Sequence, residues 1–278
     1  MNARIEPTDE AAGLPKGAVL FRTLLDHPEA LAPPKVLPSG IAAFDEAQPF
    51  GAIECTTKVL WGGEPGTGKS RWMLALALAY ARKGHRVAYL LGEMSPQGML
   101  RRALQMETGL GNMVWRNITQ PHADKFQTAM AALRSAADGI AFMRQPLQLE
   151  SLTSAAAWAD VVFVDPVQAI RVMGREHRHE ELEAVMQHIE HLSVDEGTAF
   201  HLASEIGKPA KGEKKRTLHS AFKGSSALPQ YADSAYLLER AVGGIQEVKC
   251  LKQREGAERG FTLKVDGNGL RITSGDVL

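Results

Sequence analysis

Residues 63–70 read Gly-Glu-Pro-Gly-Thr-Gly-Lys-Ser and fill every position of the pattern G-x-x-x-x-G-K-[ST]. Glycines at these positions let the backbone take positive φ, so successive N–H groups converge on phosphate oxygens, and a following helix adds the positive potential of its N-terminus. In such a cradle, formed by Gly63, Glu64, Pro65, Gly66, Thr67 and Gly68, Lys69 reaches the β- and γ-phosphates and Ser70 ligates Mg²⁺. A metal held against phosphates calls for a second carboxylate. VVFVD (161–165) supplies Asp165 at the end of an apolar run. RVAYLLGEMS (86–95) supplies Glu93 just past another such run, where a carboxylate can orient and deprotonate an attacking water. Singly, Asp165 reads as a strand cap and Glu93 as a solvated loop residue; with the phosphate loop they describe ATP–Mg²⁺ hydrolysis.

These groups need strands that end side by side. KVLWGG (58–63) reads as a strand running into the phosphate loop, and RWMLALALAYARKG (71–84) as the helix leaving it, stopped by Gly84. RVAYLLG (86–92) is a strand, and SPQGMLRRALQMETG (95–109) a helix with Ser95 as N-cap and Pro96 at the first position. Residues 129–137 read as helix, 139–143 as a short strand, 160–165 as an apolar strand, 180–197 as helix and 199–204 as strand. Two further strand-like segments, 246–252 and 261–266, close the chain. Apolar strands alternating with helices predict an α/β fold with a mostly parallel sheet covered on both faces. Residues 1–17 are polar with Pro and Gly, and 18–31 carry Leu20, Phe21, Leu24 and Leu25 at helical spacing before Pro33-Pro34. The expected organisation is an N-terminal leader and helix over 1–36 and one ATPase domain over 37–278.

Net charge is zero, so a nucleic-acid site has to be local. Two cysteines, Cys55 and Cys250, make neither a disulfide framework nor a metal quartet. No apolar run reaches the roughly 18–20 residues of a membrane span, and the N-terminus lacks the apolar core of a signal peptide. The expectation is a soluble, cytoplasmic protein without a membrane partner. His188 and His191 lie one helical turn apart but lack a cysteine or carboxylate that completes a metal set, and read as surface residues.

Taken in order, GGEPGTGKS, VAYLLGEMS, VVFVDPVQAI, HLASEIGK, KGSSALPQYADSAYLLER and LKQREG resemble the RecA-type ATPase core of DnaB-like replicative helicases and of RadA/Sms recombination ATPases. LPSGIAAFDEA (37–47) is similar to the T-G-[IF]-x-x-L-D opening of the same group, and the resemblance covers roughly residues 37–272. It implies a RecA-like P-loop NTPase fold, Glu93 as the water-activating residue, Gln168 at the place of the helicase Asp-Tyr-Leu-Gln glutamine, and a ring, usually a hexamer, with ATP between subunits. The helix at 18–31 is placed like the linker that docks on an adjacent helicase subunit, although packing on its own domain explains its pattern equally.

The same resemblance places two loops on a central channel. One carries Arg171, Arg175 and Arg178; the other carries Lys208, Lys211, Lys214, Lys215, Arg216 and Lys223. Cations there would neutralise the backbone phosphates of single-stranded DNA without reading its bases. CLKQREGAERGF (250–261), alone a basic turn, falls where the family has a Lys-Asn-Arg segment reaching the neighbour's γ-phosphate, which makes Lys252 and Arg254 candidate trans-acting fingers. Gln253 replaces the central Asn, and Glu205 stands where the family has a γ-phosphate-sensing Gln. In size the chain is closer to plasmid RepA-type helicases and core-only phage recombinases. The reading is a ring-forming DNA translocase or helicase of replication. The alternatives are a RadA-like or phage recombination ATPase, and a KaiC-like assembly ATPase with a protein partner.

Overall fold

The computed structural model describes residues 21–26, 32–175, 177–206, 222, 227–266 and 271–278. Two compact units divide the chain, residues 1–35 and 36–278. In the first, α1 spans Phe21–Asp26; the remainder of the helix expected over 18–31, and the leader before it, lie outside the described residues.

In the second unit, β1 (Val36–Leu37) and β2 (Ile53–Glu54) form a small antiparallel pair around α2 (Ala42–Glu46). There follow β3 (Lys58–Gly63), α3 (Lys69–Arg82), β4 (Val87–Leu91), α4 (Pro96–Thr108), α5 (Gln120–Ala137) and β5 (Ile140–Arg144). Next come α6 (Leu149–Trp158), β6 (Val161–Asp165), α7 (Arg178–Asp195), β7 (Ala199–Ala203) and α8 (Ala227–Tyr231). The chain ends in β8 (Ser234–Leu238), β9 (Ile245–Gln253), β10 (Phe261–Val265) and β11 (Ile272–Val277). The nine-stranded sheet has the order β11-β10-β9-β8-β3-β7-β6-β4-β5. From β8 to β5 every neighbouring pair is parallel. The pairings of β8 with β9, β9 with β10 and β10 with β11 are antiparallel. The expected parallel sheet is therefore extended on one side by an antiparallel meander.

Alternation along the strands explains the layers. Val161 and Phe163 face a core with Tyr89, Trp61, Trp72 and the apolar sides of α3, α4 and α5. Val162 and Val164 face the opposite core with Leu60, Leu90, Phe200 and the apolar sides of α6 and α7. Burial on both faces accounts for the unbroken apolar runs in the central strands. Local signals hold where a mechanism supports them: the Ser95 hydroxyl accepts from the Gly98 N–H at 3.1 Å, and Gly109 ends α4 in the left-handed conformation.

His201 in β7 is fully buried, stacked on Phe163 with 4.7 Å between centroids, and its Nδ1 accepts from the Trp61 indole N–H at 3.0 Å. Burial pushes its pKa from the ordinary 6.5 down to about 3. As pH falls below 6.5 the unfolded chain takes up this proton first, so the folded state loses stability between about 6.5 and 3 and is unaffected above that range. An NMR titration should find the His201 ring neutral at pH 5; a midpoint near 6.5 would contradict its burial.

Candidate functional site

The strands that carry the predicted site residues are contiguous in the sheet, β3-β7-β6-β4, and all point their carboxyl ends the same way. Ligands of open α/β sheets bind at that edge. A cleft of about 390 Å³ opens there, lined by residues 64–66 and 68–71 of the phosphate loop and by Glu93, Arg102, Asp165 and Glu205. Its size is that of a small-molecule site.

The loop leaves β3 at Gly63 and enters α3 at Lys69. Gly66 and Gly68 take φ of 82° and 94°, a conformation that a side chain at either position would strain. The Lys69 ammonium, half-buried, donates to the Gly63 carbonyl at 2.6 Å. Burial lowers its pKa, opposed by the charges of Asp165, Glu205 and Glu93, so these three carboxylates lie close enough to act on one amine. The loop is held from behind. Gln246 of β9, buried, donates to the Thr67 carbonyl at 2.7 Å and to the Glu239 carbonyl at 2.8 Å, and Arg240 pairs with Glu64 at 3.6 Å.

Asp165 ends β6, and one of its oxygens accepts a hydrogen bond from the Tyr89 hydroxyl at 3.1 Å. Tyr89 pairs with Phe163 in register and lies flat against it, 5.4 Å between centroids and 7° between planes, so the phenol reaches diagonally to the residue two positions further on. Burial and the Asp165 charge raise the Tyr89 pKa well above its ordinary value, which keeps the hydroxyl a donor. Glu93 projects just beyond β4, after Gly92, whose N–H donates to the Asp165 carbonyl at 2.9 Å and whose carbonyl accepts from the Gln145 amide. A Cβ on Gly92 would collide with Ala169 and come within 2.9 Å of Pro166, so the β4 end and the β6 end touch through a glycine. Ser70, Asp165, Glu93 and Glu205 offer hard oxygen donors but no cluster of three acidic or histidine ligands among the described residues. That set fits Mg²⁺, which takes one or two carboxylates and completes its shell with phosphate and water.

Gln168 does not turn into this cleft. Its amide donates to Ser204 Oγ at 2.8 Å, which donates on to the Glu205 carbonyl, so Gln168 braces the strand end that carries Glu205. Arg171 and Arg175 are exposed on the loop after β6, whereas Arg178 is committed: its guanidinium donates to the carbonyls of Gln168 and Ile170 and pairs with Glu181. It closes the base of that loop. Arg171 also pairs with Glu181, at 3.3 Å. Lys208, Lys211, Lys214, Lys215, Arg216 and Lys223 lie outside the described residues.

Lys252 and Arg254 lie at the other end of the sheet. Gln253 pairs with Ser234, which is in register with Val59 at the start of β3, so Arg254 lies about five residues, roughly 16 Å, from the phosphate loop. The Arg254 side chain is half-exposed and pairs with Asp233 at 2.8 Å, and Asp233 in turn holds the buried Lys58 at 2.9 Å. Lys252 donates to the carbonyls of Pro229, Gln230 and Ala232 at the end of α8, and burial followed by the Arg254 charge lowers its pKa.

Tyr89, Arg102 and Gln246 were not singled out by sequence. Each acts across strands or from the second turn of a helix, and only the pairing register reveals it.

A family model described as AAA domain matches residues 51–211. The DNA repair protein RadA of Chlamydia muridarum (strain MoPn / Nigg) is 35% identical over 63 residues, which cover 23% of this chain and 14% of that protein. The ATPase domain of G40P superposes with a TM-score of 0.76 at 15% identity, over 87% of this chain and 93% of that one. A DnaB-like replicative helicase, solved in a study of its interactions with primase, superposes with a TM-score of 0.77 at 15% identity, over 88% of this chain and 65% of that one. The fold is thus RecA-like and matches DnaB-like helicase ATPase domains, while the chain spans only a small part of the RadA relative's length. Among the described residues, no helix is long and apolar enough to cross a membrane.

Proposed function

Because the chain belongs to the AAA domain family and carries a RecA-like P-loop ATPase fold, we propose that it hydrolyses ATP to translocate on single-stranded DNA. It does so as a cytoplasmic ring, most simply a hexamer, in the manner of a DnaB-like helicase of replication. The observation that carries the reading is the convergence of the phosphate loop, Glu93 and Asp165 on one cleft, with the Arg171–Arg175 loop springing from the same strand as Asp165.

On binding, Lys69 exchanges the Gly63 carbonyl for the β- and γ-phosphates, and the loop N–H groups take the remaining oxygens. Ser70 and Asp165 would hold Mg²⁺, which would supply neutralisation of the phosphate charge. Glu93 orients a water and accepts its proton as the oxygen attacks the γ-phosphorus in line, the bond to the β–γ bridging oxygen breaks, and ADP leaves with that oxygen. Arg254 of an adjacent copy stabilises the charge that develops there. Its distance from its own phosphate loop favours action in trans. Lys252 acts as its brace, because leaving three carbonyls would uncap α8. Loss and return of the γ-phosphate reach the DNA loops through the Glu205–Ser204–Gln168–Arg178 chain.

Tyr89→Phe tests the metal assignment. The variant keeps the packing on Phe163 and loses one hydrogen bond to a ligand, and such partners are commonly worth about 10–100-fold in metal affinity. Mn²⁺ binding to the ADP complex, read by electron paramagnetic resonance, should weaken by about tenfold or more, with ADP binding in EDTA unchanged. Equal Mn²⁺ affinity would remove Asp165 or Tyr89 from the metal shell.

The DNA assignment predicts a linear, steep fall of log affinity for a single-stranded oligonucleotide with log salt, and little dependence on its sequence. A salt-independent affinity, or none at low salt, counts against it. The RadA stretch supports a second reading, a recombination ATPase. Fork unwinding supports the first, and annealing or pairing of strands without unwinding supports the second.

A further inference from the structure

We infer that Glu190 is a positioning residue for Arg254, acting on it through Lys58 and Asp233 of the same copy. The inference rests on the reading of Arg254 as a cation supplied to an adjacent copy, and it adds the side chains that aim that cation.

Four alternating charges form one chain at the edge of the sheet opposite the phosphate loop. The Arg254 guanidinium meets one oxygen of Asp233 at 2.8 Å. The other oxygen takes two donors from Lys58, its main-chain N–H and its ammonium, each at 2.9 Å. That ammonium belongs to a side chain only 4% exposed, and it also meets Glu190 of α7 at 3.0 Å. Main-chain bonds fasten the same residues together. The Asp233 N–H donates to the Lys58 carbonyl at 2.9 Å, and the Arg254 N–H to the Asp233 carbonyl at 2.8 Å. All four side chains line one cavity of about 250 Å³, together with Glu54 and Glu255. Glu190 also sits in the helix whose first residue, Arg178, closes the base of the loop carrying Arg171 and Arg175.

The order of the charges says what Glu190 does. A buried ammonium is costly unless carboxylates answer it. With Glu190 present, Lys58 is answered from two sides, and Asp233 keeps charge for Arg254. Without it, Asp233 alone answers Lys58, and the ammonium repels the guanidinium beyond. Lys58 cannot withdraw, because its backbone is bonded to Asp233 in both directions. Arg254 is the partner that yields. It is half-exposed, and Glu54 and Glu255 offer its guanidinium other carboxylates in the same cavity. A displaced cation loses much of its hold on a charge that develops at one point. Removing a charge from the far side of a buried lysine thus misaims a residue with which Glu190 makes no ion pair of its own.

The test is steady-state ATP turnover in mixed assemblies of full chains, at a fixed ratio and total concentration. The reference mixes Glu93→Gln with Arg254→Ala, and is active only where an intact Glu93 meets Arg254 of its neighbour. In the first mixture Glu190→Gln is added to the Glu93→Gln chain, which supplies the finger. In the second it is added to the Arg254→Ala chain, which supplies the base. The first should fall by about tenfold or more, as misplacement of a catalytic group does, and the second should stay within about twofold of the reference. If a double variant does not fold, Glu190→Asp serves: it keeps the charge, shortens the reach, and should lower the first mixture by a smaller factor and the second not at all. An equal fall in both mixtures, a fall in the second alone, or a fall in neither overturns the assignment. A reference mixture that stays inactive, although both parent chains bind ATP, would instead overturn the reading of Arg254, and the inference with it.

Discussion

Glu93→Gln is expected to lower the rate of ATP turnover by about 10²–10⁴-fold, the worth of a positioned general base, while ATP binds within about twofold of its normal affinity. The substitution keeps shape and hydrogen-bonding length and removes only the ability to take a proton. Glu93 is exposed to the cleft and has no packing role, and its position is set by its neighbour. Gly92 is fastened to the Asp165 carbonyl and to Gln145, and neither contact involves the carboxylate. The fold and the phosphate loop therefore survive. Single-turnover hydrolysis beside equilibrium ATP binding separates the two effects. Glu205 is the internal control, since it is the other exposed carboxylate in the same cleft. If Glu205→Gln abolishes turnover and Glu93→Gln does not, the base has been assigned to the wrong strand end.

Arg254→Ala is expected to cost about 10³–10⁵ in turnover, as removal of a cation on the developing charge does in other phosphoryl-transfer enzymes. Nucleotide binding should be nearly unchanged. The residue lies beside the start of β3, at the edge of the sheet opposite the phosphate loop, so its loss cannot act through its own cleft. Stability should hold as well, because Asp233 keeps Lys58 as a partner. Lys252→Ala should differ in kind: it strips three carbonyls of their donor and lowers the melting temperature before it touches chemistry. Mixing gives the sharpest contrast. Glu93→Gln and Arg254→Ala are each inactive alone, yet a mixed assembly contains interfaces that pair an intact Glu93 with an intact Arg254 from its neighbour. Activity should return in the mixture. Wild-type turnover by Arg254→Ala alone would leave it as a solvated turn residue.

How far the site was legible in the sequence follows from how its parts are linked. The phosphate loop is eight consecutive residues between a strand and a helix, and Asp165 and Glu93 each end an apolar run, so local pattern alone finds them. The alternating order of these runs also predicts the parallel half of the sheet. The antiparallel half was less visible. SAYLL (234–238) is a strand only five residues long following closely on a short helix, and ITSGDV (272–277) contains Gly and Asp, which are poor strand formers. Helix α6, LESLTSAAAW, hides among Ala, Ser and Thr, whose small side chains give little contrast between faces. Side-chain engagement was least legible of all. Arg171, Arg175 and Arg178 look equivalent in the sequence, yet Arg178 spends its guanidinium on the base of the loop and Arg175 does not. Lys252 and Arg254 are likewise two residues apart, and only the end of α8 beside Lys252 separates a brace from a finger. Tyr89 and Gln246 needed the register of β4 against β6 and of β9 against β8 before their partners appeared.

The central claim is that the ATPase serves single-stranded DNA. Steady-state ATP turnover at low salt, with and without a single-stranded oligonucleotide long enough to thread a ring, tests it most directly. Turnover should rise severalfold or more with DNA and return to its basal rate as salt removes the strand. A rate that does not respond to DNA at any salt, in protein that binds ATP and hydrolyses it, would contradict the account and point instead to a protein partner.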